Sequence, residues 1–226
     1  MSDFAVEYKN IPFFVTDGEI VYKDGKAETL KYGIEKINEH EYKNNENIVS
    51  IILPNSVTYI GWGAFEGCKS LTSITVPDSV TCIESSAFAY CSALESIDIP
   101  DSVTYIGYWV FNGCVSLKSV KLPADTNIIS ESVFWNCSNL TDITIPEKVT
   151  HIGSNAFYGC ANLKRINIPL GVNYISRNAF DGCLKLNDIY YSGSKYNWEN
   201  IKINAEGNEK LLGNIFKRAK IHYNCK

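Results

Sequence analysis

The sequence has few of the residues on which catalytic and metal sites depend. Only three histidines occur among its 226 residues, His40, His151 and His222, and they are far apart along the chain. A catalytic nucleophile, its base and the orienting group must lie within hydrogen-bond distance of one another. The chain also has no glycine-rich phosphate-binding loop and no closely spaced His/Asp/Glu cluster. We therefore expect no enzymatic activity, no cofactor and no metal ion.

Long apolar runs and an excess of positive charge are absent too. No stretch approaches the roughly 18 apolar residues of a membrane-spanning helix, so we expect no insertion into a membrane. The 21 basic and 25 acidic residues give a net charge of −4, which argues against nucleic acid as a partner. The opening residues lack the basic and apolar regions of a secretory signal. A full-length chain of this kind is expected in the cytoplasm, unless a leader has been removed.

What the sequence does contain is a repeat with a fixed step of 23 residues. Three independent columns share this step, and a period between about 20 and 50 residues is the signature of a solenoid. Proline recurs at Pro54, Pro77, Pro100, Pro123, Pro146 and Pro169, phenylalanine at Phe65, Phe88, Phe111, Phe134, Phe157 and Phe180, and cysteine at Cys68, Cys91, Cys114, Cys137, Cys160 and Cys183.

Each unit reads as one turn of a coil. The spacing of Leu71, Ile74 and Val76 predicts a strand with one buried face, and Pro77 ends that strand because it has no N–H to donate. A second, shorter inward pair follows. One unit alone buries too little apolar surface to offset the entropy lost when its residues become ordered. We therefore expect the units to stack in single file, with the phenylalanines forming a continuous aromatic spine.

The eight cysteines could form disulfide bonds, but the repeat favours a role as buried, unpaired side chains. Six of them share one inward column, where neighbouring thiols lie about one strand spacing apart, roughly 4.8 Å, which disulfide geometry permits. Cysteine also serves as a small buried hydrophobe, and we favour that role here. A row of thiols does not make the compact tetrahedron of a zinc site. Cys82 and Cys225 lie outside the column, so we expect them to be the more reactive thiols.

Residues outside the repeat are expected to cover the two ends of the stack. We assign residues 1–33 to an N-terminal cap with a hairpin, whose strands 13–15 and 19–22 are joined by a turn at Asp17-Gly18, and a second turn follows at 23–25. Residues 34–191 form about seven units, of which the first is degenerate. Thr126 replaces valine in an inward column, which predicts a local distortion there.

Residues 192–226 are assigned to a C-terminal cap. Ser194 is placed to cap a short helix that carries Trp198, and Trp198 is expected to close the end of the core. Strands are predicted over 201–203 and 219–223, with a helix over 211–220.

The unit LxxIxIPxSVTxIGxxAFxxC resembles the BspA-like leucine-rich repeats, also called the Treponema pallidum type. The resemblance covers about residues 34–191, and the tail, YYSGSKYNWENIKI with a final KIHYN, is similar to segments that follow such repeats in bacterial members. It implies a β-rich leucine-rich repeat solenoid, a right-handed coil with a parallel sheet on one face and short strands on the other. It also implies a surface or secreted protein that binds proteins or host matrix, and it supplies no catalytic residues.

Outward columns of side chains are the surfaces on which a solenoid binds. On the main sheet these columns are small and mixed, which suits a weak protein-binding face or a merely solvated one. On the short-strand face, rings at alternate positions would stack on a sugar or a peptide, or pair across strands. Further aromatic residues lie at variable positions near the phenylalanine column. The candidate partner-binding residues are Trp62, Tyr90, Tyr105, Tyr108, Trp109, Trp135, Tyr158, Arg165 and Tyr190, with Trp109 and Trp135 the strongest single candidates.

Three hypotheses for function follow. The leading one is a non-enzymatic, monomeric module for protein–protein interaction or adhesion, whose rigid surface loses little entropy on binding. The first alternative is a glycan-binding module that uses the exposed aromatic columns. The second is a ligand-free structural spacer that joins partners through its ends.

Overall fold

Each 23-residue unit makes one turn of a β-solenoid in the computed structural model, which describes residues 17–208 and 219–225. The long strand of a unit lies on the main sheet, because its apolar and polar residues alternate. In Ser73–Thr75, for example, Ile74 is buried and both neighbours are exposed. The strands of this main sheet are β4 (Ile48–Ile52), β6 (Ser73–Thr75), β8 (Ser96–Asp98), β10 (Ser119–Lys121), β12 (Asp142–Thr144), β14 (Arg165–Ile168), β16 (Asp188–Tyr191) and β18 (Lys220–His222). Its strand pairing is interrupted between β6 and β8 and between β10 and β12.

The second strand of each unit has only two residues and lies on the opposite face. Its inner residue is apolar, and it pairs in parallel with the strand of the next turn, as Ile60 does with Ile83. The short strands are β3 (Lys36–Ile37), β5 (Tyr59–Ile60), β7 (Cys82–Ile83), β9 (Tyr105–Ile106), β11 (Ile128–Ile129), β13 (His151–Ile152), β15 (Tyr174–Ile175) and β17 (Lys202–Ile203). The segment after each short strand forms tight turns, which make a third surface that we call the turn face.

The phenylalanines form the aromatic spine that the repeat predicts. All six rings are fully buried, and successive rings stack with centroids 5.3–5.8 Å apart and with nearly parallel planes. Tyr42 continues the row at the N-terminal end, 5.3 Å from Phe65. Offset stacking of this kind adds to the free energy of burying each ring. The spine therefore runs through the whole repeat as one core.

The column cysteines point inward, as predicted, and all eight cysteines are free. Each column thiol donates a hydrogen bond to the main-chain carbonyl of the aromatic residue 26 positions earlier. Cys114 donates to Phe88 at 3.1 Å and Cys137 to Phe111 at 3.2 Å. Burial raises the pKa of Cys114 to about 12, so its thiol keeps the proton that it donates. These thiols join neighbouring turns through hydrogen bonds.

At the N-terminal end, β1 (Gly18–Tyr22) and β2 (Ala27–Leu30) form an antiparallel hairpin, and β1 also pairs antiparallel with β4. The turn of this hairpin is the second one that the sequence predicted. The expected turn at Asp17-Gly18 is wrong in part, because Gly18 opens β1 and pairs with Leu30. The expected strand over 13–15 lies outside the described residues.

At the C-terminal end, Ser194 caps helix α1 (Lys195–Glu199) with a complete capping box, as predicted. Trp198 is the buried residue of this helix and meets Tyr191 edge to face at 5.3 Å. β17 and β18 extend the two sheets, and both strands were expected. The helix predicted over 211–220 lies mainly outside the described residues, and Lys220 belongs to β18. Within the described parts of the chain, no helix is long and apolar enough to cross a bilayer.

Candidate functional site

The short-strand ladder has one interruption within the described chain, between β9 and β11. Elsewhere the amide that precedes a short strand donates to the carbonyl 23 residues earlier, as in Thr81 to Thr58 and Thr104 to Thr81, both at 2.9 Å. In this part of the structure Asn127 makes no such bond to Thr104. The turn face stays closed at the same level, where Trp109 donates to Glu131 at 3.1 Å. The two turns therefore separate on one face only.

The break coincides with two changes just before Asn127. The change at Asp125 is shared in kind by Lys148 and Gly171, where the serine is also lost but the ladder continues, so Thr126 is the distinguishing residue. In earlier units a serine hydroxyl donates to a carbonyl of the previous turn, as Ser102 does to Val80 at 2.8 Å. Asp125 occupies the next position of that column, and a carboxylate accepts but does not donate; it pairs with Lys148 at 2.6 Å instead. Thr126 is only half-buried, because its hydroxyl turns to the Pro123 carbonyl at 2.8 Å. The distortion predicted from Thr126 is confirmed.

The break opens a cleft of about 370 Å³ between the two turns. The Ser130 hydroxyl bridges its floor by donating to the Ile106 carbonyl at 2.6 Å, where other units use a main-chain amide. Tyr105, Tyr108 and Ile128 form an apolar rim and are 45%, 51% and 48% exposed. Hydroxyl, amide, imidazole and carboxylate groups complete the lining, from Thr104, Thr126, Asn127, Ser130, Glu131, His151, Ser154 and Ser176. We refer to this site as the ladder cleft.

His151 is held firmly in the wall of the ladder cleft. Its Nε2 lies 3.0 Å from the Ser176 hydroxyl, and its ring stacks on Tyr174 with centroids 4.7 Å apart. Burial lowers the pKa of His151, so the imidazole is neutral at physiological pH. A neutral imidazole has one donor and one acceptor nitrogen. In the wall of the cleft it therefore makes a hydrogen bond to the Ser176 hydroxyl, and Glu131 is the one carboxylate among the described residues that line the same cleft.

Trp109 lies next to the ladder cleft on the turn face and occupies an unusual backbone position. Its φ is 56°, in the left-handed region, and the same column holds Gly63, Ser86 and Asn155 in other turns. A bulky residue in that region costs about 1–3 kcal/mol. Trp109 is 39% exposed and meets Tyr108 at a steep angle, with centroids 6.1 Å apart. Asparagine, which holds this position at Asn155 and Asn178, adopts the left-handed region more readily than tryptophan, and His40 is the other ring residue of the column.

Tyr90 occupies a second left-handed column, in which residues with a side chain alternate with glycines from Asn44 to Gly159. A Cβ added to Gly113 would meet the Tyr90 ring at 2.6 Å, so the ring fills the space that this glycine leaves. The Asn112 amide also donates to the Tyr90 hydroxyl at 3.3 Å. Packing therefore explains Tyr90, although its side chain is 51% exposed. The alternating pairs are Asn44 with Gly67, Tyr90 with Gly113 and Asn136 with Gly159.

The remaining aromatic candidates on the turn side pack against neighbouring turns. Trp135 and Tyr158 form a tilted pair with centroids 5.2 Å apart, and both are half-buried. Trp62 is more exposed but leans on His40 at 4.5 Å. Trp135 is therefore less exposed than the sequence suggested, because the Tyr158 ring of the next turn packs on it.

Arg165 and Tyr190 are on the main sheet, away from the other candidates. They line a shallow cavity of about 440 Å³ with Asp142, whose carboxylate lies 3.9 Å from the Arg165 guanidinium. Tyr190 stacks on His222 at 4.6 Å. Since exposed ion pairs of this kind contribute little free energy, the cavity has a weaker set of fixed contacts than the ladder cleft.

The structure thus brings together Tyr105, Tyr108 and Trp109 from the nine candidates. The other six lie elsewhere: Trp135 and Tyr158 form a pair, Arg165 and Tyr190 share the main-sheet cavity, and Trp62 and Tyr90 stand apart. Sequence reasoning missed Glu131 and Ser176 as lining residues, because nothing in the repeat marks which turns separate. The signal available was the loss of the valine column at Thr126.

Cys82 is more exposed than the column thiols, which agrees with the expectation that it is the more reactive. It is half-buried on the short-strand face, and its thiol lies 3.8 Å from the Glu84 carboxylate. Burial, and then the charge of Glu84, raise the pKa of this thiol to about 11. Because the thiolate is the reactive form, Cys82 is accessible but a poor nucleophile at neutral pH.

The repeat matches a known protein family. The family described as "BspA type Leucine rich repeat region" matches the chain in six copies, over residues 26–141 and 82–205. No protein with a curated description matches the chain.

Three solved structures resemble the fold. A leucine rich cell surface protein from Faecalibacterium prausnitzii has 33% identity and a TM-score of 0.60, over 77% of this chain and 55% of that one. The leucine-rich repeat protein of T. pallidum has 26% identity and a TM-score of 0.50, over 80% and 81% of the two chains. The pneumococcal vaccine antigen PcpA has 26% identity and a TM-score of 0.50, over 69% and 42%. The chain therefore spans only about half the length of the first of these relatives.

Proposed function

Because this chain belongs to the BspA-type leucine-rich repeat family, we propose that it is a non-enzymatic module whose rigid surface binds a protein partner. A cell surface protein and a vaccine antigen are among its structural neighbours, so the proposal includes adhesion at a cell surface. The continuous aromatic spine supports it, since a preorganised surface loses little entropy on binding.

The exposed position and left-handed backbone of Trp109 are the main support for this proposal. Tryptophan is the residue most enriched among binding hot spots, and this one is partly exposed on the turn face beside Tyr108. Its left-handed backbone makes tryptophan a costly choice for stability alone, since asparagine serves at the same position in other turns. Packing within the chain does not account for tryptophan at this position, whereas contact with a partner does.

The test uses a substitution that the repeat itself provides. Trp109→Asn puts the residue of Asn155 and Asn178 at the same position, so the variant should fold and unfold at the same or a higher temperature. The purified chain is immobilised and exposed to an extract of extracellular matrix proteins. Each retained protein is then purified and its affinity measured by biolayer interferometry.

We expect at least one purified protein to bind saturably to the wild-type chain and about tenfold or more weakly to Trp109→Asn. The matched control is Tyr196→Ala, at an aromatic residue that is 74% exposed on α1, and it should bind as the wild type does. Saturable binding to no purified protein, or equal affinity for wild type and Trp109→Asn, would contradict the proposal.

A further inference from the structure

The ladder cleft has one apolar side and one polar side. Tyr105 and Tyr108 come from one turn, line the cleft and are each about half exposed. Ile128 stands on the opposite turn. The Tyr108 main-chain amide donates to the Ser85 hydroxyl of the preceding turn at 3.1 Å, which fixes the backbone that carries these rings. A ligand in the cleft therefore meets flat aromatic faces that are fixed in place and have polar tips.

The polar side supplies donors and acceptors in about equal measure. Serine hydroxyls act as both, and Ser154 lines the cleft together with Ser130 and Ser176. The break also leaves the Asn127 amide and the Thr104 carbonyl without the ladder bond that this column makes in neighbouring turns. A ligand rich in hydroxyl groups satisfies such a mixed set, because each of its hydroxyls donates and accepts as well.

The charge of the lining residues indicates which class of ligand fits the ladder cleft. Glu131 is the one ionised side chain among the residues that line the ladder cleft, and it is exposed. His151 is neutral, because burial lowers the pKa of its imidazole. Anions such as phosphates or acidic sugars would meet a carboxylate and no cation. A neutral ligand would instead donate hydroxyl hydrogen bonds to the Glu131 carboxylate.

Size and strand length argue against an extended peptide. β9 and β11 have two residues each, which gives a peptide strand little main chain to pair with. The spine rings of the same two turns remain 5.7 Å apart, so the turns do not separate enough to admit another strand between them. The volume of about 370 Å³ lies at the lower end of the range for small-molecule sites.

From these observations we infer that the ladder cleft binds a neutral sugar unit. The C–H face of the sugar packs on Tyr105 and Tyr108, and its hydroxyls bond to Glu131, the cleft serines and the freed main-chain groups of Thr104 and Asn127. This inference goes beyond the proposed protein interaction and does not depend on Trp109.

The experiment is saturation-transfer difference NMR on the full chain with single sugars. Glucose, galactose, mannose and N-acetylglucosamine are the neutral probes, and glucuronic acid and sialic acid are the charged comparators. Tyr108→Ala and Glu131→Gln remove one contact each. The matched control is Trp62→Ala, because Trp62 occupies the column of Tyr108 two turns earlier.

A second variant tests the cleft itself. Asp125→Ser, Thr126→Val and Asn127→Thr together restore the residues that this segment has in earlier turns, and they should close the ladder. Circular dichroism and thermal unfolding verify its fold. If this triple variant does not fold, Tyr108→Ala and Glu131→Gln still decide the question.

We expect at least one neutral sugar to show saturation transfer, with an affinity about tenfold or more lower in Tyr108→Ala and in the triple variant. Trp62→Ala should bind as the wild type does. Transfer to none of the neutral sugars, preference for the charged sugars, or unchanged binding in Tyr108→Ala would overturn the inference. Loss of sugar binding in Trp62→Ala but not in Tyr108→Ala would also overturn it. Binding of a protein partner, lost only in Trp109→Asn, is measured separately, so the two proposals fail independently.

Discussion

Cys114 tests whether the column thiols hold neighbouring turns together or merely fill space. Its side chain is fully buried between the turns of Cys91 and Cys137, and its thiol donates to the Phe88 carbonyl at 3.1 Å. Cys114→Ala removes the sulfur and the donated hydrogen bond without adding atoms.

The expected loss of stability can be estimated from these contacts. Sulfur is about as large as one methylene, so its transfer to water costs about 0.8 kcal/mol. The cavity left behind adds about 0.5 kcal/mol. The Phe88 carbonyl keeps the Cys91 amide at 3.2 Å, so the lost thiol bond adds only about 0.5–1 kcal/mol. Cys114→Ala should therefore lower the free energy of unfolding by about 2 kcal/mol and Tm by about 4–8 °C.

Urea unfolding followed by circular dichroism and tryptophan fluorescence measures this change. Coincident transitions from the two probes show that the array unfolds as one unit. The matched control is Cys82→Ala, at a half-buried thiol outside the column, which should change the free energy of unfolding by less than about 0.5 kcal/mol. A loss below about 0.5 kcal/mol in Cys114→Ala, or equal losses in both variants, would refute a structural role for the thiol.

Three further predictions use the same face of the molecule. Cys82 should react with a disulfide reagent at a rate that rises about tenfold per pH unit up to about pH 11; Glu84→Gln should speed the reaction at pH 8, and an equal rate would show that the carboxylate does not control the thiol. Thr126→Val should raise the free energy of unfolding by about 1 kcal/mol, because valine can return to the core; thermal unfolding checks it against Thr104→Val, an exposed position, and equal changes would contradict the account of the break. The pKa of His151 is lower in the folded chain than in the unfolded chain, so the unfolded state binds the proton more tightly. Its contribution to stability is therefore complete above about pH 6.5 and is lost as the pH falls through the lowered value; urea titrations of His151→Gln should show a weaker loss between about pH 7 and 5 than wild type, and parallel curves would disprove it.

The spine and the thiol column could be predicted from the sequence because they depend only on residue type at a fixed step. Phe88 and Cys91 recur unchanged in later units, and any stack that buries one member of a column buries the others. Thr126 could be recognised as a fault for the same reason. It breaks a column in which every other complete unit has valine.

The ladder cleft could not be predicted, because it depends on where the main chain moves after the fault. Thr126 predicts a distortion but does not indicate whether the turn face or the short-strand face opens. That outcome depends on bonds such as Ser130 to Ile106 and Trp109 to Glu131, which hold one side closed. The backbone strain at Trp109 was hidden as well, since a variable position gives no information on φ.

The alternation of glycines and residues with a side chain in the column of Tyr90 and Gly113 limits how such a chain can change its length. Removing the 23-residue turn that carries Gly67 or Gly113 would bring Tyr90 next to Asn44 or Asn136, with no glycine between them to receive the ring. Removing the turn of Tyr90 would instead place two glycines side by side, as Gly159 and Gly182 already are. Over the stretch from Asn44 to Gly159, the loss of a single turn should therefore be tolerated where the turn carries a side chain in this column and resisted where it carries a glycine.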